Sequence, residues 1–433
     1  MATEEKRSPM DAIMEVVNAK VVPPLMKFAN LKPMIVIRTG MVQLIPMILI
    51  SSIFLILFML GSPSGTNETP LLPFLTPFLD KLIVVHNYGL SFMALYASVA
   101  FGIAYSDVYK TDKMTTALLA LNCFLAINLK DFVDGSINVA NFGGQGLFSC
   151  ILSSFIAGGV MSFCDKNKLE IKLPDSVPPE VLGSFRAITP FAIAVPICWF
   201  IRTVCNIDIA VLLNNVLGPI FSYADSPLGY GLYVFVLLLL WSVGIHGDNV
   251  LAGVTDPLAI LWGTENAEAV MAGVAPTALP HIWAYSFRFL HLWIAAIWPL
   301  AIYLVFSKCK AQRAVGRTVA LPTFFICEPI MFGTPIVLNP VLFIPMILSG
   351  TISGIFAYLM MDFGLVNRVY LNLPWTTPHP LLDIMMTGGD LRVLIITVGS
   401  FLIGAAIWYP FFKAYEKQGL EAEAEAEAAE LAA

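Results

Sequence analysis

One acid, one imidazole, two amides and two indoles stand out in a chain otherwise poor in polar groups: Glu328, His246, Asn249, Asn339, Trp241 and Trp375. Carboxylate, imidazole and amide can replace water on hydroxyl groups, and flat indole faces suit apolar C–H surfaces. A few such groups in an apolar pocket would bind a neutral, polyhydroxylated solute. Glu328 lies inside an apolar run, where a carboxylate costs at least ~2.5–3.5 kcal/mol on insertion scales, so it is a functional candidate by default. Each residue also has a plainer reading. Glu328 could be protonated and bonded to a neighbouring helix, His246 could be a structural residue at a helix end, and Trp375 could belong to an interfacial aromatic belt.

The segments that would hold these residues are unusual. Leu321–Pro345 carries Pro322, Pro329, Pro335, Pro340 and Pro345, so no unbroken helix can run through it. At membrane depth, non-helical backbone is tolerated only inside protein or along a wet cavity. A second interrupted stretch starts at Trp241-Ser-Val-Gly-Ile-His-Gly-Asp-Asn249, with glycines on both sides of His246. Two interrupted elements in one half of a transporter-sized chain predict a substrate site between them. Trp375-Thr-Thr-Pro-His-Pro380 reads as an irregular link.

Composition sets the class. The 433 residues are 58% hydrophobic and 12% charged, with a mean hydropathy of +0.79. Soluble domains average about 25% charged, so this is a polytopic membrane protein. Of the net charge of −6, all but one unit sits in the tail from 416 to 433, EKQGLEAEAEAEAAELAA. That tail reads as a solvated, frayed helix. The acidic balance gives no reason to expect a nucleic-acid partner. The seven cysteines have no metal-ligand spacing, and neither metal nor cofactor is expected. Zinc-protease, serine-hydrolase and nucleotide-loop motifs are missing from the sequence.

Spans of membrane length are predicted near 35–60, 88–106, 114–129, 146–164, 186–205, 228–245, 282–306, 340–361 and 393–412. Basic residues mark the inner ends: Arg7, Lys20, Lys27, Lys32 and Arg38 first, then Lys110 and Lys113, the Lys166–Arg186 group, Lys308–Arg317, and Lys413 with Lys417. Both termini are therefore expected in the cytoplasm. Residues 245 and 306 should lie on the same side, so an odd crossing must be hidden in 247–281. A re-entrant element followed by a broken crossing is expected there, making about ten transmembrane helices in an all-α fold. Ser8-Pro9 should start an interfacial helix that ends at Pro23-Pro24.

At these motifs the chain resembles the membrane-spanning IIC component of bacterial phosphotransferase-system sugar transporters, in the lactose/cellobiose/diacetylchitobiose group. The resemblance rests on Ile37–Gly40, Lys172–Phe185, Gly244-Ile-His-Gly247, Glu328–Pro340 and Trp375–Pro378, in the family's order along most of the chain. It implies a bacterial inner-membrane homodimer with four parts: a cytoplasmic segment (1–33), an interface domain (34–206), a transport domain (207–415) and the acidic tail (416–433). It implies that His246 and Glu328 contact a disaccharide and support phosphoryl transfer, with Trp241 and Trp375 stacking on the sugar. The donor would be a phosphocysteine on a soluble IIB protein, recharged by IIA, so this chain holds no complete active site. Two departures stand out: Cys327 where the family has Asn, and Leu279-Pro-His-Ile-Trp283 where it has a glycine-rich turn. Two other classes fit the residues, an ion-coupled secondary transporter using Glu328 and a non-transporting membrane sensor.

Overall fold

The computed structural model describes residues 22–62, 72–129, 139–171, 179–323, 327–373 and 377–432, with isolated positions at 20, 70, 132–133 and 136–137. The expected helix start at Ser8, the Lys172–Pro178 part of one family motif, and Trp375 lie outside the described residues, as does the side chain of Glu328. The chain divides into two compact units. One comprises Ala29–Ser222 and Ala252–Glu268; the other comprises Tyr223–Leu251 and Ala269–Ala433, together with the segment up to Phe28.

In chain order the first helices are α1 (Val22–Ala29), α2 (Lys32–Gly61), α3 (Leu79–Leu90), α4 (Met93–Tyr109), α5 (Lys113–Asn128), α6 (Leu147–Asn167), α7 (Pro179–Trp199) and α8 (Ile209–Ala224). A two-residue antiparallel ladder, β1 (Phe132–Val133) with β2 (Ser136–Ile137), follows α5. Within their unit, helices approach closely over small side chains. Ala120, Cys123, Ala157, Ala194 and Cys198 pack with Leu119 and Ile127, the contact chemistry that dispersion favours when both water and lipid are excluded. Pro23 and Pro24 lie in the first turn of α1, where proline removes only donors that have no intrahelical acceptor, and a helix leading up to them lies outside the described residues. The α8 helix is not among the expected spans: Asn214, Asn215 and Pro219 interrupt its apolar run, yet Val211, Leu212, Val216 and Ile220 remain as an exposed apolar face.

The other unit is built from α9 (Pro227–Ser242), the ends of α10 (Gly247–Met271), α11 (Leu292–Ala296), α12 (Trp298–Val305), α13 (Lys310–Thr323), α14 (Glu328–Gly333), α15 (Pro340–Asp362), α16 (Leu381–Met386) and α17 (Leu394–Ala432). Tyr233 meets Trp283 at 4.6 Å between ring centroids and Trp241 meets Trp293 at 5.9 Å, so the 283–293 stretch runs parallel to α9. Parallel neighbours need a return crossing between them. Between them in sequence, α10 is one continuous run of 25 residues. Its length of roughly 37 Å exceeds a hydrocarbon layer of about 30 Å. Residues 247–281 are all described, and the expected re-entrant element is absent from them. The break falls later, between α11 and α12, because the ring of Pro299 cannot sit against the carbonyl four residues earlier in a continuous helix. Among the described residues, seven helices are long and apolar enough to span a membrane, and α5 and α9 are shorter apolar helices.

The acidic tail is a largely solvated helix, as expected, but it is not frayed. It continues α17 to Ala432 and packs on the start of α13. The Glu416 carboxylate accepts from Lys308 N–H at 2.7 Å and from Lys413 at 2.6 Å. Glu423 accepts from Ala311 N–H at 2.9 Å, and Lys310 reaches Glu427 at 3.1 Å. The tail thus caps backbone donors that α13 cannot satisfy itself. Burial alone would raise the pKa of Glu416, but Lys413 and Lys308 N–H outweigh it and hold it below the usual carboxylate value. The Ala311 N–H does the same for Glu423. A depressed folded value means the clamp is fully present above about pH 4.3 and fades as pH falls through the lowered values. Glu416→Gln is expected to lower stability by about 1–3 kcal/mol at neutral pH and to flatten the acid limb of thermal unfolding. An acid limb identical to wild type would remove Glu416 from the clamp.

Candidate functional site

The site grows from the way α9 ends. Gly244 adopts φ +81°, and Ile245 N–H reaches back to Leu240 C=O at 3.0 Å while Gly244 N–H bonds Trp241 C=O at 3.0 Å. This left-handed cap stops the helix cleanly. Gly247 then begins α10 against α9, where a Cβ would collide with the Leu237 carbonyl oxygen. The short turn between the helices brings Trp241, His246 and Asp248 together. The Trp241 and His246 rings lie 4.3 Å apart, and Trp241 Nε1–H donates to Asp248 Oδ2 at 3.3 Å. Asn249 N–H donates to His246 Nδ1 at 3.4 Å, so the imidazole caps α10 and its neutral form carries the proton on Nε2.

Asp248 also pairs with Arg288. Their charged groups approach to 3.5 Å, Arg288 donates to Tyr233 OH at 3.2 Å, and its guanidinium lies over Tyr285 at 4.7 Å. Arg288 and Asp248 side chains are 11% and 23% exposed, which leaves the pair largely out of water. His246, by contrast, is 42% exposed, with Asp248 Oδ2 at 3.9 Å from Nδ1. A half-open imidazole beside a buried indole, backed by a paired carboxylate, can bond hydroxyl groups.

The proline-broken signature comes to the same turn. Leu338 N–H donates to Ser242 C=O at 2.8 Å, and Val337 packs beside Gly244. Leu338 holds a positive φ of 60°. That left-handed conformation costs a non-glycine residue about 1 kcal/mol or more. Glu328 is the first residue of α14, upstream of Leu338. Asn339 Oδ1 accepts from Val341 N–H at 3.1 Å, so Asn339 caps α15. Asn249 is exposed beside His246.

Where a glycine-rich turn was expected, the 279–283 segment is tied down by one carboxylate. Asp225 accepts from Trp283 N–H at 2.9 Å, His281 at 3.0 Å, Tyr358 OH at 3.1 Å and Ile282 N–H at 3.3 Å. Sequence reasoning does not single out Asp225 or Asp383. Asp383 carries a local signal, because it stands four residues after His379, which lies just before α16 begins.

Comparisons with known proteins agree on the family. Residues 38–350 match the profile of "Phosphotransferase system, EIIC". The putative permease IIC component YwbA of Bacillus subtilis is 31% identical over 94% of this chain and 96% of its own length. The cellobiose-specific EIIC component of Geobacillus stearothermophilus is 32% identical, covering 94% and 95%. The lactose-specific EIICB component of Streptococcus mutans is 29% identical over 90% of this chain and 70% of its own. The crystal structure of the transporter ChbC, the IIC component from the N,N'-diacetylchitobiose-specific phosphotransferase system, superposes with a TM-score of 0.86 at 28% identity, covering 94% of this chain and 99% of that one. The all-helical, many-span architecture, the interrupted elements around His246 and this match have one explanation: the chain belongs to the phosphotransferase system EIIC family, in its lactose, cellobiose and chitobiose branch, as the multi-pass bacterial membrane permease for a sugar whose system includes IIA and IIB proteins.

Proposed function

We propose that the chain carries a β-linked disaccharide of the cellobiose, lactose or diacetylchitobiose kind across the inner membrane by alternating access, and presents its 6-hydroxyl to phospho-IIB. The observation that carries this reading is the Leu338-to-Ser242 bond, which joins the Glu328 signature to the Trp241–His246–Asp248 turn. The printed specificities of the relatives are consistent with it. In this reading Trp241 and Trp375 stack on sugar faces, His246 donates from Nε2, and Asn249 and Asn339 border the site.

The chemistry is a phosphoryl transfer to oxygen. The sugar O6–P bond forms as the S–P bond of the IIB phosphocysteine breaks and the thiolate leaves. Glu328 takes the hydroxyl proton, and His246 steadies the developing charge. The charged product cannot recross an apolar path, so uptake is one-way.

Residues 34–206 serve as the interface domain of a homodimer and 207–415 as the moving transport domain, with both termini in the cytoplasm. The exposed apolar surface of α7 and α8, including Ile188, Ile197, Trp199, Val216 and Ile220, supports a protein or lipid contact there. The deciding experiment uses membrane vesicles supplied with phosphoenolpyruvate and the soluble phosphotransferase proteins. Disaccharide phosphate should accumulate inside. Uptake of unmodified solute that collapses with an ion gradient would assign the chain to another class of transporter.

A further inference from the structure

The 241–248 turn is not the only place in its unit where an indole, an imidazole and a carboxylate meet. The His379 ring stands 5.3 Å from the Trp298 ring, edge to face, and its Nδ1 lies 2.6 Å from Asp383 Oδ1. Asp383 is completely buried, and its second oxygen accepts from Thr397 Oγ1 at 2.7 Å. A buried carboxylate with both oxygens bonded is a fixed support, since an unpaired charge in that position would be costly. It holds the imidazole with Nδ1–H donating, which makes Nε2 an acceptor.

That Nε2 has work left to do. Among the described residues no hydrogen-bond partner takes it, and it is not among the sealed polar atoms that lack one. The side chain is 12% exposed, so the atom opens onto accessible space. A His–Asp pair serving only the fold would bury that nitrogen or pair it. The placement is also specific. His379 follows the Trp375–Pro378 motif directly, and Trp298 stands one break beyond Trp293, which packs on Trp241. The step from Trp293 to Trp298 corresponds to roughly 7.5 Å of helical rise.

Resting on the permease reading above, we infer that Trp298, His379 and Asp383 form a second carbohydrate subsite, which takes the ring of the disaccharide farther from His246. The two clusters are complementary in hydrogen bonding. His246, capped through Nδ1, offers an N–H donor, while His379, anchored through Nδ1, offers a lone pair. A sugar hydroxyl can answer either. The second ring is thereby recognised as a hydroxyl donor lying against an indole.

The experiment titrates cellobiose, lactose and N,N'-diacetylchitobiose into purified wild-type protein, His379→Gln and Asp383→Asn, and footprints wild-type histidines by carbethoxylation with and without saturating sugar. The disaccharide bound best by wild type should lose about tenfold in affinity in His379→Gln, whose amide N–H can still donate to Asp383. It should also shield His379 from carbethoxylation. Wild-type affinity in His379→Gln, or full labelling of His379 under saturating sugar, overturns the second subsite and leaves the permease reading standing. Absence of binding by wild type to all three sugars removes the permease reading, and the subsite with it. If the glutamine variant does not fold, the footprint on wild type decides.

Discussion

Vesicles carrying Glu328→Gln are expected to phosphorylate sugar about 10²–10⁴-fold more slowly than wild type, the range a positioned proton acceptor contributes. Sugar binding should weaken by no more than about tenfold. Glutamine keeps the shape and one acceptor oxygen of glutamate, so it still meets a hydroxyl. It cannot take the proton that must leave as the O6–P bond forms. The separation of the two effects is the informative part, because a residue that only held the sugar would lose binding and turnover together. Single-turnover transfer from phospho-IIB, set beside calorimetric titration of the sugar, measures both. Unchanged turnover would take Glu328 out of the reaction.

The second large effect concerns the pair beneath His246. Arg288→Ala and Asp248→Ala should each destabilise the protein by about 2–4 kcal/mol, somewhat under the range for a fully buried pair because water still reaches part of Asp248. Either change leaves its partner without compensation for the lost hydration. Asp248→Ala also releases the Trp241 indole, so it should weaken sugar affinity as well. Removing both groups should cost less than the sum of the singles by about 1–3 kcal/mol. Thermal unfolding of the four proteins closes the cycle; additive costs would show that the two charges do not depend on each other.

Much of the architecture is readable from the chain because lipid imposes simple rules. Apolar runs of membrane length form helices, and the segment where the charge pattern calls for a hidden crossing forms one long helix, α10. The breaks around Gly244 and Pro335 are also legible, since a left-handed glycine and ring-locked prolines act locally. Partnerships between distant residues are not. Nothing local to Arg288 points to Asp248 far upstream, and nothing in EKQGLEAEAEAEAAELAA announces that its carboxylates find the backbone of residues 308–311. Low complexity reads as fraying because sequence alone hides the donor-rich helix start that anchors Glu416 and Glu423. The re-entrant element expected in 247–281 fails for a related reason. Its polar residues suggest a broken path, but a helix with polar positions remains one helix when protein rather than lipid surrounds it.

The α17 helix runs unbroken for 39 residues. At the ordinary helical rise it measures roughly 58 Å from end to end, nearly twice the hydrocarbon thickness. Pro410 sits inside it without ending it, so the membrane half and the outer half are one continuous element. Any tilt of its membrane half sweeps the outer half through a wider arc and drags the start of α13 along through Glu416 and Glu423. If the bundle moves as proposed, a soluble protein gripping that outer arm would feel each swing as a torque.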